Sequence, residues 1–428
     1  MQPRFSRPKL RTLFCAAILI VQATAAADVP RVLRVGTSAD YSPFSFRDAG
    51  GNLTGFDIVV AQRLANDLGR RIDFVPFHWP DLVAQLESGV FDIAMSGVTI
   101  RPDRAVRLAY SRPYAVTGAV AVIRGADRHR YRTIRDLDRP RVRVAVNAGG
   151  HLEQVARKQL AHARVTPVSD NRALPDLLRR GKLDAVISEE IEAQAWRGKQ
   201  FVILGPFTHD RKAYAVAPAA PELLQQVDDW LAAREADGWL NEQRRRWFGD
   251  WTVLTPAQAT LEALVAAIDL RLQLMPLVAA VKRRERLPID DPAQEARVLE
   301  RARAAATDAG LNADDVAELF RVQIEAAKTL ERSATAETVP ADLSLPQLRV
   351  AVGRASDQIV AELARCQPWL GEADGRRQLE ATLHEGLTGV GPNLLTRIGA
   401  SLERVRRAKR EPPPSRRSPK KGPPQGER

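Results

Sequence analysis

The sequence predicts two folded bodies of different class, an α/β unit over about residues 32–248 and an all-α unit beyond about residue 256. Three observations predict this. At 428 residues the chain exceeds one ordinary domain. In the first half, short β-like runs alternate with helical segments, as in parallel sheets joined by crossover helices. From Pro256 the β-like runs stop and apolar residues recur at helical spacing.

The chain opens with Arg4, Arg7, Lys9 and Arg11, an apolar run from Leu13 to Val21, and then Ala23-Thr24-Ala25-Ala26-Ala27. A basic start, a short apolar stretch and small residues at the cleavage position make residues 1–27 an expected signal peptide. The mature protein is then expected in the periplasm, with no stable membrane span. The formal charge of +12 does not signal nucleic acid. The four early cations and a net +7 over residues 403–428 leave only +1 for everything between, so no basic binding face is expected. Residues 403–428, Pro-rich and basic, are expected to be a disordered tail. After leader removal Cys366 is the only cysteine, which excludes an internal disulfide and a cysteine metal cluster; no metal or other cofactor is expected.

Within residues 28–250, "LRVGT", "IDFVPF", "FDIAMSGV", "AVAVIR", "VRVAVN", "LDAVIS", "FVILGP" and "AYAVAP" read as strands. "GFDIVVAQRLANDLG" and "LPDLLRRGK" read as helices between them. "GDWTVLTP", 249–256, is a linker. Within residues 257–402, Leu261, Leu264, Val265, Ile268, Leu272 and Met275 form one helical stripe. Further helices are expected over 292–309, 313–332 and 344–366, with a weaker set from Ala373. "GLN" at 310–312 and "TVPADLSLP" are breaks.

Several motifs fall in a telling order: "LRVGTSADYSPFSF", "GFDIVVAQRLA", then "WPDLVAQLESGVFDIAMSGVTIRPDRAVRLAYSRPY". This order resembles the periplasmic solute-binding proteins for polar amino acids over nearly all of residues 31–248. The resemblance implies a two-lobed, type II periplasmic-binding-protein-like α/β fold that closes on its ligand by hinge motion, with crossings near Ala115–Val122 and Tyr214. It implies that Arg104 binds a carboxylate bidentately, with Thr99 as a further donor. Tyr41, Phe44, Phe46 and Trp79 are candidates for apolar walls or for plain core.

"WPDL" with "FDIAMSGVTI", "VNAGGHLE" at 146–153 and "SEEIEA" at 188–193 resemble a catalytic subgroup, the cyclohexadienyl dehydratases. These convert prephenate to phenylpyruvate with loss of water and carbon dioxide. Glu189 holds the position that meets an amino acid's ammonium; Glu192 matches the subgroup's acid. Hydroxide is a poor leaving group, so a buried, protonated Glu192 would donate its proton as the C–O bond breaks. Asn147 would bind the ring hydroxyl or a carboxylate. The pattern departs at Ala119, where the dehydratases carry Lys, and at His151-Leu152; His151 is one candidate for the missing cation. The other reading is an amino-acid-type binding module.

In the second half, Arg271 and Lys282 are eleven residues apart, about 20° past three helical turns, and so share one face of a helix. Asp291 and Glu295 form an i, i+4 pair on the next helix. A structural ion-pair network is one reading. The order "LVAAIDLRLQLMPLVAAVKRRERLPIDDPAQEARVLERA…GLNADDVAELFRVQIEAAKTLERS" resembles the secreted class of all-helical chorismate mutases. By that resemblance Arg271 and Lys282 bind substrate, Asp291 and Glu295 occupy the acidic positions, and Glu331 faces Lys282 across the ether oxygen. Arg354 matches the second carboxylate-binding Arg. Gln294 and Ala327 depart from the family's Arg and small hydroxyl residue; Arg297 is positioned to substitute for the former.

The two resemblances rest on separate residues, and the product of one reaction is the substrate of the other. A bifunctional enzyme of the phenylalanine branch is therefore expected, with chorismate and prephenate as small-molecule partners and a homodimer left open.

Overall fold

The computed structural model describes residues 31–196, 200–335, 339–387 and 389–408. The expected signal peptide and the tail beyond residue 408 lie outside the described residues. Two five-stranded sheets carry the first half. One runs in the order Arg71–Pro76, Val32–Thr37, Ile93–Ala94, Ala215–Val216, Ala109–Tyr110. The other runs Arg164–Val168, Arg143–Asn147, Ala185–Glu189, Ala119–Arg124, Phe201–Leu204. In each, the first three strands pair in parallel and the last two are antiparallel additions. Helices Phe56–Asp67 and His151–Gln159 make the crossovers that parallel pairing requires. The chain leaves the first lobe through Ala115–Thr117 and returns through Asp210–Lys212; these pair antiparallel as a two-stranded hinge. The two-lobed α/β class read from the sequence is the class observed.

The described part of the second half is mostly helical. Thr255 with Gln258 and Ser344 with Gln347 form capping boxes, and Asp291 and Asn312 cap the helices that follow them. The apolar stripe expected across residues 261–275 is divided: Pro256–Gln273 and Met275–Arg284 are separate helices on either side of Leu274, with Pro276 opening the second. This segment is apolar enough to cross a bilayer, but 83% of its most apolar window is buried in the fold, where it packs on helix Leu345–Leu370.

Residues 403–408, expected to belong to the tail, pack on the helical half. Helix Pro392–Arg404 runs past residue 403, and the chain then folds back. Arg406 pairs with Asp315 at 2.8 Å and its carbonyl accepts from the Asn312 N–H, while Ala408 N–H donates to the Gly310 carbonyl. One cation expected to be solvated, Arg406, is thus satisfied by Asp315 in the acidic start of helix Ala313–Ser333.

The two halves share an interface on the first lobe. Leu270 and Ala355, from the helical half, belong to that lobe's apolar core. Arg112 and Glu362 meet there at 3.5 Å, both at most 2% exposed. The second lobe's two apolar clusters contain only residues between Ala119 and Phe207.

Candidate active sites

The first site lies between the lobes, where strand ends converge. Tyr41, Trp79, Thr99, Arg104, Asn147 and Glu189 all line one cavity of about 20 Å³. That is room for about one water, so the lobes are closed and must part to admit a ligand. Tyr41 meets Trp79 edge-on at 5.8 Å. Phe44 is fully buried core beneath them, and Phe46 packs on Trp247 instead. Gly97, with φ of +63°, is held by its N–H on Asp57; a Cβ there would lie 2.8 Å from the Tyr41 ring.

Arg104 projects from the short helix Pro102–Ala105. It is buried, its Nη1 has no protein partner, and burial pushes its pKa down. A buried, unpaired guanidinium calls for an anion.

The second cation is Lys212, which the motifs did not single out. Its Nζ lies 2.6 Å from Glu189 Oε1 and 2.7 Å from Thr99 Oγ1, and it is 1% exposed. Ala119, where the dehydratase pattern has Lys, stands opposite Glu189 in the sheet register. Lys212 therefore delivers an ammonium to the carboxylate that a Lys at 119 would adjoin. His151 lines the same cavity, with its Nε2 3.0 Å from Asp210 Oδ1. The available signal was "DRK" at the return crossing. Side chains alternate along a strand, so Asp210 and Lys212 turn to the cleft while Arg211 turns away.

Glu192 is set back from the cavity wall, in the first turn of helix Glu190–Ala195. Its Oε1 accepts from Asn171 Nδ2 and its Oε2 from Ser188 Oγ, both at 2.5 Å. Burial raises its pKa to about 8, with help from the charges of Glu189 and Asp40 and against both hydrogen bonds. The side chain is therefore protonated at neutral pH.

The second site is a cavity of about 380 Å³ within the helical half, inside the usual range for small-molecule sites of about 300–1,000 Å³. Arg271, Lys282, Asp291, Glu295 and Glu331 all line it, as do Gln294, Arg297 and Ala327. Arg271 is fully buried, and burial lowers its pKa to about 10, which leaves it charged. It donates to Gln323 O at 3.1 Å and Ser356 Oγ at 3.3 Å. Lys282 Nζ lies 2.8 Å from Glu331 Oε2. Burial raises the pKa of Glu331 against the pull of Lys282 and Arg271.

Asp291 and Glu295 hold cations at the rim: Arg349 donates to Asp291 at 2.8 Å and Lys328 to Glu295 at 2.9 Å. Arg297 donates to Gln294 at the same rim.

Arg354 is the correction. It does not line this cavity. Arg349 does, and five residues on a helix turn the side chain through roughly 140°. Arg354 faces the first lobe, where it donates to the carbonyls of Ala105 and Leu108.

Comparison with known proteins gives each half a family match. Residues 33–250 match the bacterial extracellular solute-binding proteins, family 3, and residues 262–332 match chorismate mutase type II. The cyclohexadienyl dehydratase of Pseudomonas aeruginosa is 33% identical over 258 residues, 57% of this chain and 96% of its own. The L-cystine-binding protein TcyJ of Escherichia coli is 29% identical over 221 residues, 51% of this chain and 82% of its own. Among solved structures, an ancestral amino acid-binding protein described as a precursor of cyclohexadienyl dehydratase is 36% identical with a TM-score of 0.49, covering 51% of this chain and 95% of its own. The chain belongs to the bacterial extracellular solute-binding proteins of family 3, and residues 262–332 of its helical half match chorismate mutase type II.

Proposed function

We propose that the protein is an exported, periplasmic bifunctional enzyme. The helical half converts chorismate to prephenate, and the cleft converts prephenate to phenylpyruvate, water and carbon dioxide. One observation carries the second assignment: Lys212 already occupies Glu189. A site for an amino acid keeps that carboxylate for the ligand's ammonium. Here the cleft offers an unpaired cation, Arg104, and the ammonium of an ion pair, Lys212, to a ligand with two carboxylates. The 33% identical dehydratase supports the same reading.

In the mutase cavity the reaction is a rearrangement that needs no nucleophile. Arg271 and Arg349 hold the carboxylates of the compact conformer. Lys282 and the Glu331 carboxyl meet the charge that develops on the breaking ether oxygen. In the cleft, Arg104 and Lys212 hold prephenate. Glu192 gives its proton to the ring hydroxyl, which leaves as water; the ring carboxylate leaves as carbon dioxide and its electron pair completes the aromatic ring. Because Glu192 stands one layer behind the wall, substrate must displace its Asn171 or Ser188 contact. The acid then regains a proton from solvent.

Chorismate supplied to the mature protein should yield phenylpyruvate. Prephenate alone would defeat the dehydratase assignment; unchanged chorismate would defeat the mutase assignment, and prephenate supplied directly then tests the cleft. Glu192→Gln should lower phenylpyruvate formation by at least about a hundredfold while prephenate still binds. The sign of the pH effect follows from the raised pKa. The acid is protonated below about 8 and lost above it, so dehydratase kcat/KM should fall as pH rises through that value.

A further inference from the structure

The segment Arg104–Leu108 lies between the two sites. Arg104 points into the cleft with an unpartnered Nη1. Val106, two residues on, packs into an apolar cluster of the mutase domain that includes Met275 and Val278, which also line the mutase cavity. The helix carrying Arg104 is only four residues long, Pro102–Ala105, too short to stand on its own hydrogen bonds. Arg354 supplies what is missing. From helix Leu345–Leu370 its Nη2 donates to the Ala105 carbonyl at 2.7 Å and to the Leu108 carbonyl at 3.2 Å. The guanidinium has no carboxylate partner among the described residues, and burial pushes its pKa down. It is spent on backbone alone.

The other cleft cation is braced in the same way. Arg211, on the hinge strand beside Lys212, donates to Glu262 at 3.0 Å and to the Gly386 carbonyl at 3.3 Å, both in the mutase domain. A Cβ on Gly386 would collide with this guanidinium.

We propose that Arg354 of the mutase domain is a positioning residue for the solute-binding cleft: by holding the carbonyls of Ala105 and Leu108 it fixes the direction in which Arg104 meets the substrate carboxylate. The assignment rests on reading the cleft as an anion site. It makes the mutase domain a structural part of the dehydratase centre, which the cleft on its own would lack.

The test uses the full mature chain. In a Glu192→Gln background prephenate binds without turnover, so its Kd can be measured by calorimetry with and without Arg354→Ala. In the wild-type background the same substitution is read as KM and kcat for prephenate and as mutase kcat/KM. Arg354→Ala should raise the prephenate Kd and KM about tenfold, with a much smaller change in kcat. Mutase kcat/KM should stay within about twofold, since Arg354 lies off that cavity and only residues that touch the transition state lower it directly. Arg354→Lys, able to reach one carbonyl, should recover most of the affinity.

An unchanged prephenate Kd would overturn the proposal. So would a mutase rate that falls in proportion, because Arg354 would then be serving the mutase or the fold. A wild type that binds prephenate but forms no phenylpyruvate would defeat the dehydratase reading alone, and the Kd comparison would still decide the role of Arg354.

Discussion

Lys212 decides what the cleft can hold. With Glu189 engaged, the polar wall presents Arg104 and an existing ion pair, and the protonated Glu192 adds no charge. On the proposed reading, prephenate would bring two carboxylates and a keto group to this wall. Arogenate replaces the keto group with an ammonium, which meets Lys212 across the same carboxylate. Like charges placed together in a closed site are costly. The enzyme should therefore favour prephenate over arogenate by about tenfold or more in kcat/KM, measured as initial rates with each substrate. Equal rates would show that Glu189 is free to accept an ammonium. Lys212 was legible in the sequence only through strand alternation, since the dehydratase motif places its Lys at position 119. Glu192 was legible through "SEEIEA", but its distance from the cavity wall depends on Asn171, a residue from a different segment.

Helix Pro292–Asp308 shows how one side chain serves both an element and a site. Asp291 Oδ1 accepts from the Gln294 N–H as the N-cap, while its Oδ2 accepts from Arg349 at the cavity rim. Asp291→Asn should keep the cap and weaken the hold on Arg349; Asp291→Ala should lose both. Thermal unfolding should register a loss of about 1 kcal/mol for Ala and much less for Asn, whereas both should raise the mutase KM for chorismate. Equal stabilities for Ala and wild type would remove Asp291 from the cap. The helical periodicity around Arg354 explains why it misled. Arg349 and Arg354 are both arginines on helix Leu345–Leu370, and motif order cannot distinguish which of the two turns toward the cavity. Which helix packs on the first lobe makes that choice, and Ala355 in the lobe's core records it.

The interface between the two halves carries its own pH dependence. Asp228, on helix Pro221–Ala236, accepts from the Arg112 N–H at 2.7 Å close to Glu362. Burial raises its pKa to about 7, and the Glu362 charge adds to the rise. A carboxyl with a raised folded-state pKa favours folding while it stays protonated, and that contribution fades as pH climbs from the unfolded value of 3.8 through about 7. Asp228→Asn should therefore stabilise the chain above pH 7, by about 2 kcal/mol, and leave it little changed near pH 4. Denaturant unfolding at the two pH values checks this; stabilisation at low pH alone would contradict it. The mutase body is fastened to the first lobe and to the hinge strand through Arg211, while the apolar clusters of the second lobe are built from that lobe's own residues. The apolar packing of the second lobe is thus separate from the unit formed by the first lobe and the helical half.

Local pattern determined the two fold classes, the element order and several of the residues that line each pocket, because strand alternation, helical periodicity and capping residues act over a few neighbouring positions. Arg271, Lys282, Glu295 and Glu331 come to one cavity from four separate helices, and Asp291 from an N-cap, so the packing of those helices and not a shared helical face brings them together. Tertiary structure alone decided the partners of Lys212, the depth of Glu192 and the direction of Arg354. Each of those depends on which distant segment comes to lie against a buried charge, and the cost of leaving such a charge unpaired is settled only when the whole chain has packed.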